Sequence, residues 1–588
     1  MADARKRLIL SLGLITVLIL LVYGTTLRHD FVWDDNDIIV NNPLLNTLGN
    51  IPRFFLTEDK VVTATGYYRP LTYVSFALDR ALWGLNPLGF KITNLVLQIL
   101  VAMLFYAVTL ALFKKERLAL VAAVLFAVHP LAGETVNFLA GGRNTLLAAC
   151  FTLLSLLMYI KGKTVPAVIC FTLAIFSKEF ALLLPMVFLL YDYRLQREKI
   201  RFASFIPYMI PVVGYLTLRS FAVQKANFLD KIHLSGQLWL SPYLAVRYLL
   251  NMIFPFRLKV MYDESTTIYV CIACLIVVIV LLCAIFLRKK YDTYNVFIFS
   301  DYWFLLFLLP VINIIPIPAN SLIADRYAYF SLMGFSLALA ALICKANTRV
   351  MVIAVVLVCS AYSLADYRQN RIWKNDATFF AQMAKDAPEM FIGYRNLALY
   401  YYDKGDITNT EHFLGIACSK PDIPPSYLVG AATIFMESNK ADKASALLLK
   451  SLEQDPANPE TYLLLKMIYE REGNKALADS YLAKARKAIP HLEIELGRMA
   501  EDFCHEGERF IAERKYAHAA NILRRALLVK PDFVPAIVAL GRVKYEQGDF
   551  LNATKYLERA ITLDPANASA QRSLSLLRQK QGETKGTP

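Results

Sequence analysis

Apolar segments long enough to cross a bilayer follow one another through roughly the first 370 residues of this chain and then stop. With a span of roughly 17 to 25 residues as the ruler, crossings are expected near 8–27, 92–113, 118–132, 144–160, 164–177, 180–193, 202–218, 268–287, 296–316, 322–344 and 350–366, about eleven in all. Hydrocarbon offers the backbone no hydrogen-bond partner, so each crossing must be a helix that satisfies its own amides. Past residue 370 ordinary charged sequence takes over. The expectation is therefore an all-α protein of two parts, a polytopic membrane domain at 1–370 and a soluble domain at 371–588. A content of 56% hydrophobic and 12% aromatic residues agrees, since no ordinary soluble domain needs so much. The first segment, Leu8 to Leu27, is longer than the apolar core of a signal peptide and meets no small-residue cleavage motif before Arg28-His29-Asp30, so it reads as a retained anchor.

A formal net charge of +15 raises the question of nucleic acid, and the placement of the basic residues answers it. They cluster between spans, at Arg5-Lys6-Arg7, Lys114-Lys115-Glu116-Arg117, Lys161 and Lys163, Arg194 to Arg201, Arg288-Lys289-Lys290 and Lys345 to Arg349. These are the short cytoplasmic loops of the positive-inside rule, and no nucleic-acid partner is expected. The apolar stretch Leu238 to Phe256 is interrupted by Pro242, Arg247 and Pro255 and reads as an interfacial or re-entrant helix on the outer face. Seven of nine cysteines lie in apolar segments, where a thiol is a small packing group. Cys271-x-x-Cys274 has no second pair or histidine to complete a metal or redox site, and Cys418 and Cys504 could pair only if folding brought them together.

The soluble part repeats itself. Gly541, Ala553, Leu557, Ala560 and Pro565 match Gly507, Ala519, Leu523, Ala526 and Pro531 at a shift of about 34 residues, the tetratricopeptide period. Further copies stand around Gly473, Ala478, Ala485 and Pro490, around Ala444, Leu448 and Pro456, and more weakly around Leu397, Ala398, Gly405 and Ala417. The stretch after Pro490 exceeds the period, which calls for a linker helix or an insertion. About five repeats would form a superhelix whose concave groove holds a peptide, or else serves as a spacer or dimerisation surface.

With the amino terminus inside, the unusual polar sequence falls on the outer face. Phe31-Val32-Trp33-Asp34-Asp35-Asn36-Asp37 and Tyr67-Tyr68-Arg69-Pro70 share the first outer loop. His129-Pro130, Glu134, Asn137 and Gly142-Arg143-Asn144 lie in the second, Ser177-Lys178-Glu179 in the third, and Ala324-Asp325-Arg326-Tyr327 in a later one. Asp34 and Asp35 read either as a turn or helix cap with solvated carboxylates, or as a general base that takes a proton from an acceptor hydroxyl while a sugar is displaced from a phosphate. A metal site needs more ligands than this short stretch offers, and none is expected. Arg69, Arg143, Lys178 and Arg326 are candidate partners of the leaving phosphate, arginine's planar fork matching its oxygens. Each is alternatively an ion-pair partner for Glu134, Glu179 or Asp325, and His129 a capping or packing residue.

Taken in this order and followed by the repeats, these motifs resemble the transmembrane-and-tetratricopeptide-repeat (TMTC) family over almost the whole chain. That family belongs to the GT-C glycosyltransferases, and its eukaryotic members are O-mannosyltransferases of the secretory pathway that use dolichyl-phosphate mannose. The resemblance implies that Asp34 or Asp35 is the catalytic acid, and that His129, Glu134, Arg143, Lys178, Glu179, Asp325 and Arg326 line the donor and acceptor cavity. Gly142-Arg143-Asn144 departs from the family by lacking the acid that often follows the basic residue, and the repeat array is short. The expected function is an inverting transfer of a mannose-like hexose from a polyprenyl phosphate to a protein hydroxyl on the periplasmic or lumenal side, without a cofactor. Short loops and a compact chain point to a bacterial inner membrane, or to the endoplasmic reticulum in a eukaryote. The rival readings are a lipid-linked oligosaccharide polymerase or ligase, and a non-enzymatic membrane anchor for a repeat scaffold.

Overall fold

The computed structural model describes residues 2–56, 67–196, 202–222, 240–262, 272, 294–312, 322–421, 423–489, 491–512 and 516–584. These are overwhelmingly helical, with no strand among the described residues. The chain divides into two compact units, Met1–Asp386 and Ala387–Pro588. The division falls after Asp386 rather than at 370, because residues past the span expected at 350–366 pack back on the first unit: Asp30 N donates to Lys374 O at 3.0 Å, and Trp373 stacks on Phe138.

Among the described residues of the first unit six helices are long and apolar enough to cross a membrane: Arg5–Arg28, Pro87–Phe113, Leu139–Ile160, Phe202–Ala222, Asp325–Ile343 and Thr348–Lys374. A seventh crossing is made if Glu116–Ala127 and Leu131–Asn137, bent by 64° at His129-Pro130, form one broken span. Thr164–Ser177 and Asn295–Val311 are shorter apolar helices. The stretch expected to cross at 180–193 is broken into a 3-10 turn, Glu179–Leu183, the short helix Leu184–Leu190 and a π turn, Tyr191–Gln196. Apart from residue 272, the expected span at 268–287, with its Cys-x-x-Cys, lies outside the described residues, as do Arg288-Lys289-Lys290. The interrupted stretch after Leu238 gives the amphipathic helix Ser241–Ile253. Local chemistry sets the ends: Asn86 accepts from Leu88 N before Pro87, and Asn347 from Val350 N. The outer faces leave Leu21, Ile210, Val213 and Leu357 more than half exposed, an apolar surface suited to lipid rather than water.

The second unit is a run of helix pairs. We label its helices α1 (Phe391–Asp403), α2 (Ile407–Ser419), α3 (Pro425–Glu437), α4 (Ala441–Gln454), α5 (Pro459–Arg471), α6 (Lys475–Ala488), α7 (Leu492–Ala512), α8 (Tyr516–Val529), α9 (Val534–Glu546), α10 (Phe550–Leu563) and α11 (Ala568–Thr584). Five pairs and a closing helix result among the described residues. Gly405, Gly473 and Gly548 take left-handed φ of 74°, 78° and 77° between the helices of a pair, where a side chain would be strained. Asp406, Asn474 and Asp549 then cap the second helix. The repeated small residues sit where helices touch: Ala444, Ala478, Ala519 and Ala553 are wholly buried, and a Cβ on Gly507 would meet the Leu523 side chain at 2.5 Å. The over-long stretch after Pro490 is α7, a 21-residue helix among neighbours of 13 or 14. Cys418 and Cys504 are both buried free thiols.

Helix α8 does more than close its own pair. It lies across α1, α3 and α5, the first helices of the three leading pairs: His518 meets Asp403 at 2.5 Å, Asn521 donates to Thr433 and Glu437, Arg524 pairs with Glu437, and Arg525 grips Glu460 with two bonds of 2.5 and 2.7 Å. In a repeat superhelix the first helices line the concave side. The groove expected to hold a peptide is thus crossed, over the first three pairs, by a helix of the chain itself.

Candidate active site

Backbone and packing give the two adjacent acids different surroundings. Asp35 is fully buried and spends its carboxylate on the protein, accepting from Ala140 N at 2.7 Å and Val32 N at 3.2 Å. Asp34 is half-buried and lines a cavity of about 110 Å³ together with Tyr67, Arg69, Asn144, Lys178, Arg326 and Tyr327. Burial pushes the Asp34 carboxyl up to about 6, against the Arg326 charge, which lowers it, and with Asp37 adding to the rise. Burial raises Asp35 to about 6 as well, opposed by Lys91 and its two backbone bonds.

Three cations from three parts of the chain open on the same cavity. Arg69 is clamped by Glu179, Nε to Oε2 at 2.9 Å and Nη2 to Oε1 at 2.5 Å, and lies over the Tyr67 ring at 4.1 Å. Arg326 pairs with Glu134, whose other oxygen accepts from the Arg326 backbone N at 2.9 Å, and rests on Phe138 and Tyr327. Lys178 Nζ donates to Thr145 Oγ1 at 2.8 Å and lies 4.5 Å from the Phe180 ring centre. Burial, and then the neighbouring Arg69, hold the Lys178 ammonium well below its ordinary range. Burial would raise Glu179, but Arg69 outweighs it and brings the carboxyl down to about 2. Each carboxylate fixes one edge of an arginine without lining the cavity itself, so the guanidinium is pre-aimed at the cavity.

Other expected site residues lie elsewhere. Arg143 is fully buried and committed: it pairs with Asp79 at 2.7 Å and donates to Asn94, Ser75 and the Phe90 carbonyl. That acid comes from the helix Pro70–Trp83, within the first expected outer loop but outside its quoted motifs, and the guanidinium has no edge at the cavity. A Cβ on Gly142 would fall 1.9 Å from Thr135 O, so the glycine of the Gly-Arg-Asn motif lets the helix Leu139–Ile160 lie against the backbone of Leu131–Asn137. His129 is buried too, its Nδ1 accepting from Leu131 N at 3.1 Å and its Nε2 2.9 Å from Met252 O. Both ring nitrogens are used where the broken span bends. Asp325 is buried against Tyr262 OH at 3.0 Å and Asn251 at 3.2 Å, and with Glu134 borders a second, smaller cavity. Sequence reasoning passed over Asp79, a lone acid in an apolar helix, and the aromatic platforms Tyr67, Phe138 and Tyr327. Tyr67 and Tyr327 stand inside the quoted motifs and Phe138 directly follows Asn137, and a cation beside an aromatic was the available signal.

Fold and site together define an all-α membrane-type protein with a tetratricopeptide array and a cationic cavity carrying one carboxylate. A tetratricopeptide-repeat family model matches residues 534–567. The chain is 24% identical over 436 residues to a protein O-mannosyl-transferase of Caenorhabditis elegans, covering 69% of this chain and 62% of that protein. It is 38% identical over 146 residues to protein O-mannosyl-transferase TMTC1 of Homo sapiens, covering 24% of this chain and 16% of that one, and 37% identical over 152 residues to human TMTC4, covering 23% and 20%. It thus spans less than two thirds of the length of these relatives. Among solved structures it is similar to the MamA protein, at 18% identity over 31% of this chain and 95% of that chain, with a TM-score of 0.18. The curated relatives are therefore TMTC-family protein O-mannosyl-transferases, as the ordered motifs indicate.

Proposed function

We propose that this chain is a membrane glycosyltransferase of the GT-C type, moving a mannose-like hexose from a polyprenyl phosphate to a protein hydroxyl on the periplasmic or lumenal side. The observation that carries the reading is the shared cavity: Asp34 faces the same space as Arg69, Lys178 and Arg326. The acceptor oxygen attacks C1 of the sugar as its proton passes to Asp34. The C1–oxygen bond to phosphate breaks, its electron pair leaves on the phosphate oxygen, and the cations stabilise that charge where water is excluded. One displacement inverts C1. This chemistry requires no metal or cofactor beyond the lipid-linked donor. Asp35 anchors the loop, while Glu134 and Glu179 orient the arginines. A bare scaffold for the repeats has no use for such a cavity. The repeats present the protein acceptor, on surface that α8 leaves open or releases.

Mass spectrometry of membrane and secreted proteins, with and without the gene, tests the reading. Loss of one hexose from particular serines or threonines is the expected result. An unchanged set of O-linked hexoses, or the loss of a whole preassembled glycan, would overturn it, the second in favour of a ligase.

A further inference from the structure

The loop that carries Asp34 is held from an unexpected quarter. Trp33, the residue before it, has φ of +56°, a left-handed conformation that a bulky side chain adopts only when its surroundings enforce it. Those surroundings come largely from the stretch beyond the last span. Trp33 N donates to Asp376 Oδ1 at 2.7 Å, and Asn36 Nδ2 donates to Asp376 Oδ2 at 3.0 Å, so one carboxylate brackets Asp34 and Asp35 on both sides. The Trp33 ring lies between Phe138 and Phe379, with centroids 5.5 and 5.4 Å away, and Trp373 closes the cluster against both phenylalanines. Phe138 in turn carries the Arg326 guanidinium at 5.2 Å. The proposed base and one cation of the proposed phosphate site therefore rest on a single aromatic stack.

The helix Asp376–Asp386 is capped by the residue before it. Asn375 accepts from Thr378 N at 3.0 Å while Thr378 Oγ1 accepts from Asn375 N at 3.2 Å, a reciprocal cap. We propose that Asp376 is a positioning residue of the transfer site: its carboxylate, with Trp373 and Phe379, holds residues 33–36 in the turn that aims Asp34 into the cavity. The stretch Arg371 to Asp386 is then a working part of the catalytic unit rather than a connector to the repeats. This rests on the reading of Asp34 as the base.

The test uses the full-length chain with polyprenyl-phosphate mannose and a synthetic peptide of the site that loses its hexose, with Asp34→Asn as reference. Asp376→Ala is expected to lower kcat by about tenfold to a hundredfold, the scale of a reacting group displaced by an ångström, with the donor KM held within about twofold. Asp376→Asn still accepts from Trp33 N but turns an amide NH2 toward that of Asn36. Adding Asn36→Asp restores the complementary pair, and kcat is expected to recover to within about threefold of the parent. An inactive Asp34→Asn beside an unimpaired Asp376→Ala would overturn the proposal alone, as would a loss that the double exchange leaves unrepaired. Parental turnover in Asp34→Asn would overturn the base assignment and this inference with it.

Discussion

The two neighbouring carboxylates differ by what each already holds. Asp35 accepts two backbone amides in a closed pocket, whereas Asp34 stands at a cavity with Arg326 nearby. A base whose carboxyl sits near 6 is ionised above that pH and protonated below it. Transfer is therefore expected to fall about tenfold per pH unit below roughly pH 6 and to level off above it, which a kcat profile from pH 4.5 to 8 checks; a flat profile would mean that Asp34 takes no proton. Much of this was legible as residue type: paired acids, and basic residues at the ends of separate spans. Their division of labour was not, because it depends on contacts between distant segments. Arg143 looked as available as Arg69, yet its partner is Asp79 and it is wholly enclosed, while Arg69 finds Glu179 and keeps the cavity. His129 was ambiguous for the same reason, since its acceptor is the carbonyl of Met252.

Among the elements, the repeats were the most legible, because a helix pair writes its small contact residues, turn glycine and closing proline at a fixed period. The surplus after Pro490 lies in α7, a lengthened helix of the fourth pair rather than an added linker helix. The fold-back of α8 had no such signature, since Arg525 meets Glu460 across 65 residues of sequence. That pair is nearly closed from solvent, with side-chain exposures of 12% and 4%. Removing one partner of such a pair leaves a charge unmatched at a cost of about 3 kcal/mol. Glu460→Ala is thus expected to speed amide exchange in α8 by about a hundredfold while leaving α9 and α10 protected. Hydrogen–deuterium exchange read by mass spectrometry decides it; unaltered exchange at 516–529 would show that α8 is held by other contacts. The spans were less legible as single elements. Hydropathy marks where apolar sequence lies, but the bend at His129-Pro130 and the broken stretch at 179–196 come from local backbone chemistry that a window average hides.

For the whole molecule, the stop in hydropathy near residue 370 separates lipid-facing from water-facing sequence, but the compact units divide later, after Asp386. The reason is Trp373, Asp376 and Phe379, which hydropathy counts with the soluble part and packing assigns to the loop that carries Asp34. The molecule thus joins a membrane-type unit with a cationic, acid-bearing cavity to a tetratricopeptide array. The central claim is that one sugar crosses that cavity from lipid phosphate to protein hydroxyl, with Asp34 taking the proton. Purified chain in proteoliposomes, given polyprenyl phosphate mannose labelled in the sugar and the acceptor peptide, measures this directly. Label should move to the peptide with inverted C1 and equimolar release of polyprenyl phosphate, and Asp34→Asn should slow the transfer by about 10² to 10⁴ with donor binding intact. Transfer at the parental rate by Asp34→Asn, or retention of configuration at C1, would contradict it.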